Sequence, residues 1–105
     1  MEDIKFVDNK ASDEYGYVMY RSYEDNVHVL MGSYTDKSQR GRGVFKKQFE
    51  KFMIDSVKVG DEVYIALTNK KILPYLLKVG FVKIVEPIRH WGKINNGINL
   101  KFIKS

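Results

Sequence analysis

The residues in this chain whose types and spacing best suit chemistry form the segment Arg40-Gly41-Arg42-Gly43, which joins a predicted strand to a predicted helix. Its two glycines allow backbone N–H groups to turn toward a ligand. The helix start adds unpaired N–H donors and a partial positive charge. With Lys37 nearby, this combination favours binding of a phosphate or pyrophosphate group. A glycine turn with surface arginines is the plainer alternative.

Two common phosphate-binding motifs do not account for this segment. The dinucleotide fingerprint needs a third glycine and an acidic residue about 20 positions further on. The Walker loop needs a Gly-Lys-Ser/Thr ending, which the sequence lacks here. The segment therefore predicts an anion site without identifying its ligand.

Two helices follow from the hydrophobic spacing. Apolar residues from Phe45 to Val57 recur along one helical stripe, which predicts an amphipathic helix ended by Gly60. A shorter helix is predicted from Lys70 to about Val79. It contains a proline, which is tolerated in the first turn of a helix and kinks it elsewhere. The predicted buried face of this second helix consists of Ile72, Leu73, Leu76 and Leu77.

The strands supply the rest of the architecture. Apolar and β-branched runs predict strands over residues 4–7, 15–20, 27–35, 63–67 and 81–85. Asn-Gly between residues 91–94 and 98–103 predicts a closing hairpin. The order β-β-β-α-β-α-β-β indicates an α/β layered sheet, part antiparallel and part parallel.

Length and composition exclude several classes of protein. The chain has 105 residues, and 44% of them are hydrophobic, which predicts one globular domain over residues 1–105. No apolar run reaches the ~18 residues of a membrane span, and the acidic N-terminus does not resemble a signal peptide. There is no cysteine and there are two isolated histidines, so we expect neither a disulfide nor a metal site. These features predict a cytoplasmic location.

The charge balance concerns the partners of the protein. Lysine and arginine total 18 against 13 acids, which gives a net charge of +5. A basic balance favours anionic partners such as nucleic acid, phosphorylated cofactors or acidic proteins. Ordinary solubility explains it equally well until the charges are located.

Two segments resemble the GCN5-related N-acetyltransferase (GNAT) superfamily. Arg40-Gly41-Arg42-Gly43-Val44-Phe45 is similar to its acyl-CoA-binding loop, Gln/Arg-x-x-Gly-x-Gly/Ala, with Phe45 as a departure at the last position. About 30 residues on, Asn69 to Phe81 resembles the family's Asn-x-x-Ala…Tyr-x-x-x-Gly-Phe block. Ile72 replaces the small residue there. In strict register the family tyrosine falls on Leu76, and Tyr75 stands one place early.

The resemblance implies a fold, a co-substrate and a set of contacts. The fold is a GNAT-like mixed central sheet, with antiparallel strands followed by β-α-β-α-β-β and a shortened N-terminal part. The co-substrate is acetyl-CoA. Its pantetheine would pair with the backbone of Ser33, Tyr34 and Thr35, and Asn69 would bind its pantetheine or phosphate end. Its pyrophosphate would lie against Arg40, Gly41, Arg42, Gly43, Val44 and Phe45.

The implied reaction is direct attack of a primary amine on the thioester carbonyl, with the backbone N–H groups near residues 33–35 as oxyanion donors. Tyr75 is the candidate acid for the leaving thiolate. His28, Asp36 and Tyr34 are weaker candidates for acid or base, and a chain of waters is a further alternative.

Three functions are carried forward in order of preference. The first is an acetyltransferase that acts on a primary amine of a protein or peptide. The second is a catalytically degenerate protein that binds acetyl-CoA. The third is a basic nucleic-acid-binding module, which no recognition-helix, RNP or zinc pattern supports. We expect no membrane partner, and exposed sheet edges suggest a homodimer.

Overall fold

A mixed sheet with two helices on one face makes up the fold. The computed structural model describes residues 5–24, 26–39, 41–67, 70–86, 88 and 98–105. Short 3-10 turns at Lys37–Gln39 and Lys70–Ile72 precede the two helices. The elements, in chain order, are β1 (Phe6–Asp13), β2 (Gly16–Tyr23), β3 (Val27–Thr35), α1 (Val44–Asp55), β4 (Glu62–Leu67), α2 (Leu73–Val79), β5 (Val82–Ile84) and β6 (Ile98–Ile103).

The strand order across the sheet, in the described residues, is β1-β2-β3-β4-β6-β5. The first three strands form an antiparallel meander. Strand β4 lies parallel to β3, with α1 in the connection, and β6 runs antiparallel to both β4 and β5. This arrangement confirms the mixed α/β sheet that the order of elements predicts.

The main core lies between the sheet and the two helices. Phe49 and Phe52 of α1 and Leu76 of α2 pack there against residues that alternate along the strands, such as Val63 and Ile65. The intervening residues face the opposite side, where a smaller cluster forms from Tyr23, Val27, Val29, Tyr64 and Ile88. Period-2 alternation in the strands thus separates a helix-covered face from a helix-free face of the sheet, within the part of the chain that the structure describes.

Several predicted boundaries are wrong. Strand β1 covers Phe6–Asp13 rather than residues 4–7, and its mostly polar sequence is compatible with an edge strand that has one neighbour. Helix α1 ends at Asp55, and Gly60, with φ of 92°, belongs to the turn before β4. Leu77 is exposed rather than buried. The predicted first arm of the closing hairpin lies outside the described residues.

No helix in the described part of the chain has the length and apolar character needed to cross a membrane.

Candidate functional site

A groove opens where two parallel strands part. The pairing of β3 with β4 runs from Val27 and Glu62 to Leu30 and Ile65 and stops there. Both strands continue, β3 to Thr35 and β4 to Leu67, while each stays paired with its outer neighbour, β2 or β6. A stretch of strand backbone on each side of the gap is therefore left without a partner strand across it. Such backbone can accept an extended ligand as an added strand.

The groove has a volume of about 330 Å³. Its walls come from both strands, from the start of α1 and from the turn before α2. They are largely apolar, and a serine supplies the hydroxyl among them. The described lining residues are Leu30, Met31, Gly32, Ser33, Phe45, Ile65, Ala66, Leu67 and Ile72.

A β-bulge shapes the β3 wall of the groove. The register with β2 passes from Tyr20 opposite Leu30 to Met19 opposite Gly32, so Met31 is an extra residue on β3. A bulge redirects the side chains that follow it. Beyond this one, Ser33 shares the helix-covered face with Leu30, while Gly32 faces the helix-free side.

One end of the groove leads to the glycine loop and the start of α1. Gly41 and Gly43 have φ values of 84° and 75°, in the left-handed region that favours glycine. A Cβ atom built on either would meet nothing within 4 Å, so the space beside both is open. Gly43 caps α1 without a side-chain hydrogen bond, and the first helical N–H to bond backward is that of Lys47, to the Gly43 carbonyl at 3.0 Å. The donors of the first turn remain available for an anion.

The charges around this helix start are unfavourable for the helix alone. Its first turn carries Lys46 and Lys47 and no acidic residue. Cations at a helix N-terminus oppose the macrodipole, at a cost of about 0.3–1 kcal/mol each. Lys37 and Arg42 are exposed in the same loop. This collection of positive charge is what an anionic ligand would neutralise.

A buried side chain fixes the position of the helix. Gln48 of α1 donates from Nε2 to Oδ1 of Asp13 at 2.8 Å, and the same oxygen accepts the Tyr15 N–H at 2.8 Å. The N–H of Tyr15 comes first among the groups that hold the pKa of the Asp13 carboxyl below its usual value. The turn between β1 and β2 is thereby tied to α1 one turn beyond the glycine loop.

Comparison with known proteins identifies the architecture. No protein-family model matches the chain, and no curated protein matches its sequence. An acetyltransferase of the GNAT family from Staphylococcus aureus superposes with a TM-score of 0.65 at 15% identity, over 87% of this chain and 60% of that one. A protein assigned as an acetyltransferase from Agrobacterium tumefaciens superposes with a TM-score of 0.52 at 15% identity, over 94% of this chain and 72% of that one. The fold is that of the GNAT acetyltransferases.

The fold expected from the two resembling segments is thus confirmed, and this chain spans 60% of the length of the Staphylococcus aureus structure. Of the contacts that the GNAT resemblance implies, Ser33 and Phe45 line the groove. Tyr34 and Thr35 lie further along β3, beyond the described lining. Gly41, Arg42, Gly43 and Val44 form the turn and helix start at the end of the groove. Arg40 and Asn69 lie outside the described residues, as do His90 and Trp91.

Phe45, the departure from the GNAT loop pattern, serves both the core and the groove. Its ring stacks on that of Phe49, with centroids 5.8 Å apart and an angle of 17° between the planes. One side of the ring also lines the groove beside the splayed strands. The aromatic side chain therefore forms a wall of the groove near the helix start.

The candidate acid of the GNAT fold points elsewhere. The hydroxyl of Tyr75 donates to Oε1 of Glu50 on α1 at 3.3 Å, and its ring packs against Phe49. Burial, together with the negative charge of Glu50 and this hydrogen bond, raises the pKa of Tyr75 to about 12. Tyr75 lines a separate cavity of about 310 Å³ between α1 and α2. Leu76, at the family position, is fully buried in the core.

His28 is held in a buried hydrogen-bond network. It is 3% exposed, its Nδ1 lies 2.7 Å from Oγ of Ser22, and its Nε2 lies 2.9 Å from Oδ2 of Asp61. Asp61 also accepts the N–H of Lys58 at 2.9 Å. Burial raises the pKa of Asp61, but its hydrogen bonds with His28 and with Lys58 outweigh it, and the net pKa lies below the usual value. The network ties β2 and β3 to the turn before β4.

Asp36 and Tyr34, the other weak candidates, also have local partners. Oδ1 of Asp36 accepts from the backbone N–H and the hydroxyl of Ser38. The ring of Tyr34 stacks on that of Tyr17. Within the described residues, no three side chains of the histidine and acidic types gather in a way that could hold a metal ion.

Sequence reasoning missed Leu30, Ile65, Leu67 and Ile72 as groove residues and the partners of His28. The glycine within β3 was a signal for the groove, because a strand glycine often marks a bulge or a close approach. The link from His28 to Asp61 had no signal, since it joins residues 33 positions apart.

Proposed function

We propose that this chain is an acetyl-CoA-dependent N-acetyltransferase that acts on a primary amine. The observation that carries the proposal is the end of the parallel pairing at Leu30 and Ile65, which opens a groove running to a helix start that bears glycines and lysines. The GNAT fold supports the same co-substrate.

The residues present fit the parts of acetyl-CoA. The apolar walls from Leu30, Ile65, Leu67 and Ile72 suit the pantetheine arm, and the unpaired strand backbone beside Ser33 suits its amides. The open space beside Gly41 and Gly43 suits the pyrophosphate. The exposed cations Lys37, Arg42 and Lys46 suit the remaining phosphate.

The reaction needs an oxyanion donor and a path for one proton. The amine nitrogen forms a bond to the acetyl carbon, the carbon–sulfur bond breaks, and the thiolate takes up the proton that the nitrogen loses. Backbone N–H groups of β3 near Ser33 are the candidate donors to the developing oxyanion. The described lining contains no carboxylate, imidazole or phenol. The proton therefore passes through water or the Ser33 hydroxyl, and the acceptor amine must arrive neutral.

A binding-only protein is the second candidate, and the position of Leu76 favours it. A buried leucine stands where the GNAT resemblance places the acid, and Tyr75 is bonded to Glu50 outside the groove. Such a protein would bind acetyl-CoA and release no thiol.

Thermal unfolding with millimolar acetyl-CoA, free CoA or ATP tests the proposal first. A ligand at 100 times its dissociation constant adds about 2.7 kcal/mol of stability. We expect both CoA species to raise the melting temperature and ATP to have little effect. Release of CoA thiol in the presence of amines then separates the enzyme from the binding-only protein. No shift with either CoA species would refute both.

A further inference from the structure

Gly32 has no structural reason to be glycine. It lines the groove just beyond the last pair of the parallel ladder. Its φ is outside the left-handed region that favours glycine. A Cβ built there would meet only the Met19 Cε, at 3.8 Å, which is ordinary contact. Since glycine weakens a strand, its presence indicates that another molecule comes close to this backbone.

The approach to Gly32 is from the helix-free face of the sheet. Gly32 lies opposite Met19, and Tyr34 lies opposite Tyr17, both on this face. The rings of Tyr17 and Tyr34 stack with centroids 5.7 Å apart. The aromatic face, as we call it, consists of Phe6, Lys10, Tyr17, Met19, Arg21 and Tyr34.

Two cations lie on the rings of the aromatic face. Lys10 Nζ is 4.6 Å from the centre of the Tyr17 ring, and the Arg21 guanidinium is 3.8 Å from that of Phe6. Arg21 is also bonded to Asp8, at 2.7 Å. The charge of Arg21 is therefore balanced by an acid, whereas that of Lys10 is held over an aromatic ring. Phe6 and Tyr34 at the two ends of the face are 49% and 48% exposed.

The shape and charge of this face select one class of partner. Small amines need an enclosing pocket for affinity, and the aromatic face is the surface of an antiparallel meander. An extended polypeptide can spread over such a surface and stack on its rings. The ammonium of Lys10, in a chain of net charge +5, favours acidic side chains in that polypeptide.

We propose that the aromatic face docks the acceptor as an acidic polypeptide segment, which presents its amine to the thioester at Gly32. This inference rests on the proposed function. The groove holds the acetyl donor from the helix-covered side, and the acceptor arrives from the other side. The nitrogen gains the acetyl group, the thiol is released as leaving group, and one proton passes from nitrogen to sulfur.

Binding of labelled peptides in the presence of CoA tests the docking surface without requiring turnover. Three rhodamine-labelled peptides would each carry one free lysine amine, flanked by glutamates, serines or arginines. We expect the glutamate peptide to bind most tightly by fluorescence anisotropy. Lys10→Glu should weaken its binding about fivefold. Lys51→Glu, which makes the same charge change on α1, should leave it unchanged.

Turnover supplies a second readout. Gly32→Ala should raise KM for the glutamate peptide more than it weakens binding of acetyl-CoA, because its new methyl group faces the acceptor side. Equal binding of the three peptides, or equal effects of Lys10→Glu and Lys51→Glu, would overturn the docking surface and leave the transferase proposal intact. Displacement of the peptide by a single-stranded oligonucleotide, lost in Lys10→Glu, would overturn it in favour of nucleic acid. Absence of any thermal shift with CoA would instead refute the proposed function.

Discussion

Leu30 of β3 and Ile65 of β4 form the last residue pair of the parallel ladder, and both strands run on beyond it. Strand β3 remains paired with β2 to Thr35, and β4 remains paired with β6 to Leu67. Each wall of the gap is thus held from outside, so a ligand need not force the strands apart. A groove formed in advance lowers the cost of ordering on binding.

The glycine that caps α1 offers a sharp test of the anion site. Gly43 and Gly60 both have left-handed φ values, and neither has an atom within 4 Å of a built Cβ. Alanine in this conformation costs roughly 1–2 kcal/mol, so Gly43→Ala and Gly60→Ala should destabilise the protein similarly. Only Gly43→Ala should also reduce the stabilisation by acetyl-CoA, measured by thermal unfolding. Equal stabilisation of the two variants would exclude the helix start as the phosphate site.

The two adjacent leucines of α2 should differ greatly in their contribution to stability. Leu76 is 0% exposed and Leu77 is 42% exposed. Leu76→Ala leaves a core cavity and should cost about 2–5 kcal/mol. Leu77→Ala should cost less than about 1 kcal/mol. Urea unfolding of both variants measures this, and similar losses would mean that α2 is rotated from the orientation described.

These leucines also show what the sequence can predict. Helical spacing identified the helices and the core positions Phe49 and Phe52, because those residues recur on one stripe. The same reasoning assigned Leu77 to the buried face, since periodicity alone does not locate the edge of a buried stripe. Strand β1 was misplaced because its polar edge residues lack the alternation that marks a half-buried strand.

The site was only partly predictable for a related reason. The glycine loop is local in sequence, so its residue types indicate an anion site. The point where β3 and β4 part depends on pairing between strands that are distant in sequence, and no local pattern encodes it. The orientation of Tyr75 depends likewise on its contact with Glu50, 25 positions away.

Acid stability should depend on the carboxylate that binds His28. The pKa of Asp61 in the folded protein lies below its ordinary value of 3.8. Its stabilising contribution is therefore complete above that value. It declines as pH falls, because the unfolded chain takes up the proton first. Asp61→Asn should cost about 1–3 kcal/mol at neutral pH and make the stability fall less steeply below about pH 5.

Urea unfolding from neutral to acidic pH measures this dependence. Asp55→Asn, which removes an exposed carboxylate at the end of α1, is the matched control and should keep the wild-type slope. If Asp61→Asn unfolds with the same dependence on pH as Asp55→Asn, the carboxylate of Asp61 is not the group that links His28 to acid stability.

Tyr75→Phe separates the catalytic role implied by the resemblance from the position seen in the structure. A tyrosine that protonates the thiolate would contribute about 100-fold or more to the rate. The Tyr75 hydroxyl is bonded to Glu50, and the tyrosine lines a cavity other than the groove. We therefore expect Tyr75→Phe to retain kcat, KM and the pH profile of thiol release. That profile should rise toward the pKa of the acceptor amine itself.

Alkaline unfolding gives Tyr75→Phe a change that is independent of catalysis. The folded-state pKa of Tyr75 is about 12, against an ordinary value of 10.0. Between these values the unfolded chain releases the phenolic proton first, so stability falls as pH rises through this window. Tyr75→Phe removes that part of the decline. A variant with the expected alkaline behaviour but a rate reduced 100-fold would show that Tyr75 turns into the groove during the reaction.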